Sequence, residues 1–92
     1  MELKQAREEI DKIDNEILQS VAKRLGLAKE IAEIKKKVRL PLEDKERELD
    51  LLKTRIKKMK ELGFEDKEFV TQLFAVLMKK SKEVQKEIME RK

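Results

Sequence analysis

The chain contains no cysteine, histidine, tryptophan or tyrosine, and has one proline and two glycines in 92 residues. Without cysteine there is neither a disulfide framework nor a thiolate metal site. Without histidine the commonest general base and metal ligand is missing, so the expected chemistry uses no metal and no cofactor. So few helix breakers point to an all-α chain. No apolar run approaches the ~18 residues that a membrane span needs. No secretory pattern opens the sequence, and a cytoplasmic protein is the expectation.

What is present is charge. Asp, Glu, Lys and Arg make up 48% of the chain, yet 39% is apolar, which argues against disorder. The net charge is +4, but acids and bases alternate, and "IKKKVR" and "RIKKMK" read as solvated helix faces. Nucleic-acid binding would need a basic stripe with aromatic stacking partners. The only aromatics are Phe64, Phe69 and Phe74, two of them at core-like positions, so that class is set aside. The length suits one small domain, 1–92, with a core of marginal size.

The apolar pattern predicts a first helix from about Leu3 to Val38. At 1.5 Å per residue it would be ~54 Å long, against roughly 30 Å for a compact domain of this size. Such a helix overhangs its own domain, so a second chain should cover its stripe. Gly26 lies off that stripe and is read as tolerated. In "VRLPLEDKERELDLL", Pro41 disfavours helix at the residue before it, and Asp44 is a candidate N-cap for a second helix. That helix carries Leu49, Leu52, Ile56 and Met59 and stops at Gly63. Glu65 or Asp66 then caps a third helix, with a stripe running from Val70 to Ile88.

Polar residues interrupt these stripes. Leu3, Ile10, Ile17, Ile31 and Val38 are spaced by sevens, and Arg24 falls on their line. Ser20 similarly interrupts the line of Ala6, Ile13, Leu27 and Ile34. Lys35, eleven residues after Arg24, is rotated by only ~20° from it. Helix two opens with Asp44, Arg47 and Glu48, and helix three carries Ser81 and Gln85 four residues apart. A single polar residue can set helix register. Several inward cations together point to a pocket for an anion, because Arg meets carboxylates with paired hydrogen bonds.

The runs "AREEIDKIDNEIL", "KRLGLAKEIAEIK", "PLEDKERELDLL" and "KSKEVQ", in that order, resemble the all-helical class of chorismate mutases from Arg7 to Gln85. The resemblance implies three helices per chain in an intertwined homodimer. It also implies rearrangement of chorismate to prephenate in aromatic amino acid biosynthesis. By the same resemblance, Arg7 reaches into the partner subunit's site, while Arg24 and Lys35 serve their own. The Asp-x-x-Arg-Glu pattern matches Asp44, Arg47 and Glu48, and Ser-x-x-x-Gln matches Ser81 and Gln85.

That reaction is concerted and needs no nucleophile, metal or proton transfer, so the missing histidine and cysteine are no obstacle. The substrate must be held folded, and charge developing on its breaking ether oxygen must be stabilised. The resemblance assigns Arg24, with Ser81, and Arg7 as carboxylate clamps. Lys35 and Gln85 become donors to the ether oxygen. Glu48 and backbone near Asp44 take the ring hydroxyl, and Arg47 orders the site. An isochorismate-pyruvate lyase would share such a pocket. A helical dimerisation module would need none of these residues.

Overall fold

A computed structural model of the chain describes residues 1–91; Lys92, the last position of the expected domain, lies outside the described residues. Three helices follow in order: α1 (Leu3–Val38), α2 (Lys45–Glu61) and α3 (Lys67–Met89). No strand occurs among the described residues. The molecule measures 55 × 24 × 15 Å, so α1 runs its whole length.

Local chemistry sets the boundaries. The Gln5 side chain accepts the Glu2 backbone N–H at 3.0 Å at the start of α1, and Lys35, Lys36 and Lys37 face the negative end of its dipole. Arg39 then turns into the left-handed region (φ 59°), a conformation costing about 1–2 kcal/mol for a residue with a Cβ. Pro41, two residues on, prevents the helix from resuming at Leu40. The carboxylate of Asp44 accepts the Arg47 N–H at 3.0 Å and caps α2. Gly63 supplies the positive φ (100°) that lets the chain leave α2. Asp66 caps α3 through the Phe69 N–H at 3.0 Å. Gly26 sits inside α1 with open space around it, as the off-stripe position implies.

Helix α3 packs against both α1 and α2. The apolar core is small: Ala28 and Ala32 from α1, Leu51 from α2, and Val70 and Ile88 from α3. Ala28 and Ala32 are one turn apart, and their short side chains let α3 approach closely. Two sequence expectations are corrected here. Leu49 is 62% exposed, and Leu51 is buried in its place, because the inner face of α2 centres on Glu48, Leu51, Leu52 and Arg55. Phe64 and Phe69 are exposed, and only Phe74 is half-buried.

The first half of α1 stands clear of the other helices. Leu3, Ile10, Ile13 and Ile17 are 51–66% exposed. The line continues outward through Ile31, Ile34 and Val38, also exposed. Total accessible surface is 7988 Å², against about 5,600 Å² for a compact monomer of this mass.

Candidate active site

A cleft of about 480 Å³ opens between the second half of α1, the 39–44 connection, the first turns of α2 and the C-terminal half of α3. Leu27, Ile31, Leu51 and Met78 supply its apolar walls. Arg24, Lys35, Asp44, Arg47, Glu48, Ser81 and Gln85 also line it. These seven are brought together from three helices and the connection before α2. The eighth expected residue, Arg7, is not: it is exposed on the far half of α1, about 26 Å along the axis from Arg24.

The centre of the cleft is a chain of hydrogen bonds. Lys35 Nζ donates to Gln85 Oε1 at 2.9 Å and to the Leu42 carbonyl at 2.9 Å. Gln85 Nε2 donates to Ser81 Oγ at 3.0 Å. An ammonium only donates, so the amide oxygen of Gln85 must face Lys35 and its NH₂ must face Ser81. Gln85 is buried, at 7% exposure, which fixes that orientation. Among the described residues, one Lys35 proton, one Gln85 amide proton and the Ser81 hydroxyl proton remain without a protein acceptor. These are unspent donors in a half-closed site, where each is worth more than in water.

Around this network stand guanidinium groups. Arg24 makes only a long hydrogen bond to the Leu77 carbonyl, 3.5 Å. Burial holds its pKa below the ordinary value, and the charges of Arg55 and Arg47 add to the effect. A guanidinium stays protonated all the same, so the cluster is under repulsion that an entering anion would relieve. Among the described residues, none of Arg24, Lys35, Arg47 and Arg55 forms an ion pair with a carboxylate. Asp44 is engaged in capping α2, so it offers a ligand its backbone and one spare oxygen.

Two charged cleft residues escaped the sequence reading, Arg55 and Lys82. Arg55 lies seven residues after Glu48, so a helical repeat from Glu48 could have found it. Its guanidinium donates to Thr54 Oγ1 at 2.9 Å and lies 5.9 Å from the centre of the Phe74 ring, a cation–π arrangement that fixes its direction. Nothing in the local pattern marks Lys82.

The size and lining suit a small organic anion. Cations and neutral donors predominate in the lining, with two carboxylates among them, Glu48 and the capping Asp44.

The chain is similar in sequence to several known proteins. A protein of Methanocaldococcus jannaschii named chorismate mutase is 50% identical over 46 residues, covering 50% of this chain and 46% of that protein. A bifunctional chorismate mutase/prephenate dehydratase of Aquifex aeolicus is 52% identical over 50 residues, 54% of this chain and 14% of that protein. The T-protein of Haemophilus influenzae is 42% identical over 53 residues, 58% of this chain and 14% of that protein. The matched stretches thus span less than half of each of these relatives. The family model for chorismate mutase type II matches residues 6–86, which takes in all the cleft-forming residues, and the chain belongs to that family.

Proposed function

We propose that the chain is a chorismate mutase, converting chorismate to prephenate within a single cytoplasmic helical domain. The observation that carries this reading is the set of unspent donors on Lys35, Gln85 and Ser81, facing unpaired guanidiniums in one cleft. In the rearrangement an ether C–O bond breaks as a C–C bond forms, and negative charge gathers on the ether oxygen. Lys35 and Gln85 each donate a free proton to that oxygen. Both are held by hydrogen bonds before the substrate arrives, so little reorganisation is needed as charge develops. Arg24, with the Ser81 hydroxyl, takes one substrate carboxylate. Glu48 and backbone near Asp44 take the ring hydroxyl, and Arg47 orders the anion. The apolar walls keep the substrate's side chain folded over its ring.

The second carboxylate clamp is Arg7 of a second copy of the chain. Arg7 lies too far along α1 to reach its own cleft, while the apolar line beside it lies exposed. The excess accessible surface of about 2,400 Å² over a compact monomer falls in the range of obligate homodimer interfaces. Light scattering at micromolar concentration should therefore return twice the 11.0 kDa chain mass. A stable monomer would overturn the shared site.

The functional test is ultraviolet detection of chorismate loss, with prephenate identified as product. Pyruvate formed from isochorismate would assign a lyase instead, and no turnover of either would leave a dimerisation module. The donor role has its own signature. Gln85→Glu should retain activity mainly at acidic pH, because only a protonated carboxyl can donate to the ether oxygen. A flat profile for that variant between about pH 4 and 8, around the ordinary Glu pKa of ~4.3, would count against it.

A further inference from the structure

Beyond the residues that meet the substrate, the cleft contains one cation with a carboxylate partner. Lys82 Nζ lies 2.8 Å from Glu48 Oε1 and 3.6 Å from Glu43 Oε1. Among the described residues these two are the only ion pairs joining α3 to α2 and the connection before it; the others lie within one helix or between a helix and the residues that follow it.

We propose that Lys82 is a positioning residue for Glu48, holding one carboxylate oxygen so that the other accepts the ring hydroxyl of the substrate. The inference rests on the chorismate mutase reading and adds to it a residue that does not itself touch the reacting atoms. Two physical consequences make the pair useful. A free Glu48 would be drawn toward the guanidiniums of Arg24, Arg47 and Arg55, which line the same cleft, and would occupy the donors that the substrate carboxylates need. Pairing with Lys82 also offsets the charge of Glu48, one of the two cleft carboxylates that would repel a dicarboxylate. The contact to Glu43 adds a tether on the 39–44 connection, which Lys35 holds from the other side through the Leu42 carbonyl. Hydrogen bonding to Glu48 holds the Lys82 pKa above the ordinary lysine value, so the ammonium persists throughout the neutral range.

The test combines a titration with a double-mutant cycle. In the wild-type protein, the Lys82 side-chain NMR signal should titrate above the ordinary lysine value. In Glu48→Gln it should fall back toward that value. Lys82→Met should raise KM for chorismate about tenfold while kcat changes less than threefold, and Lys82→Arg should restore most of the loss. In the Glu48→Gln background, Lys82→Met should cost nothing further. An equal KM penalty with and without Glu48 would overturn the proposal, as would an unchanged KM in Lys82→Met. If wild-type protein does not turn over chorismate, the functional reading fails separately. The titration then decides the pair alone, and an unshifted Lys82 sinks it.

Discussion

Lys35→Ala is expected to lower kcat at least ~100-fold, the range seen when one preorganised donor to a developing oxyanion is removed. The substitution does more than delete a charge. Lys35 Nζ donates to both Gln85 Oε1 and the Leu42 carbonyl, so its loss leaves two acceptors unpaired in a half-buried site. The Gln85 amide is oriented by Lys35 on one side and Ser81 on the other. Without the ammonium its oxygen and nitrogen can exchange places, and the second donor to the ether oxygen is lost with the first. Folding should survive, because Lys35 is not one of the buried core residues Ala28, Ala32, Leu51, Val70 and Ile88. Steady-state kinetics with a thermal melt checks both halves of the expectation. A kcat within tenfold of wild type would remove Lys35 from the chemistry.

The second large effect follows from the geometry of α1. Arg7→Ala and Arg24→Ala should each be nearly inactive as homodimers, since every site then lacks one carboxylate clamp. Unfolding the two variants together and refolding them should restore activity. In a mixed dimer, one site combines the intact Arg24 of one chain with the intact Arg7 of the other, and the second site lacks both. Random pairing makes about half the dimers mixed, so about one site in four regains both arginines, provided the variants associate equally. Recovery toward a quarter of wild-type activity is the expected result. If mixed dimers form without recovery, Arg7 does not act across the interface.

Much of the fold was legible because the signals that set it are short-range. Pro41, Asp44, Gly63 and Asp66 act within a few residues of where they stand, through a blocked conformation, a capped N–H or a positive φ. Ser81 and Gln85 share a helix face by spacing alone, so their hydrogen bond was foreshadowed. The excessive length of α1 was likewise arithmetic.

The rest depended on how the helices rotate against one another. The line through Ile17, Arg24 and Ile31 reads as a face to be covered; within the single chain Ile17 and Ile31 stay exposed, and α3 lies along Ala28 and Ala32 instead. An amphipathic pattern marks a face to be covered without saying which partner covers it, and α1 has one face for its own chain and another left exposed. Leu51 displaced Leu49 from the core for a similar reason: the two lie ~160° apart around α2, and the rotation of the helix about its axis decides which side meets α3. The same rotation carried Arg55 into the cleft. Lys82 and Glu48 are 34 residues apart and meet only because α3 crosses beside the start of α2. The sequence alone determined where the helices begin and end and which polar residues fall on their stripes. Only the tertiary structure decided which charges face each other, because ion pairing depends on distances between helices that no local pattern encodes.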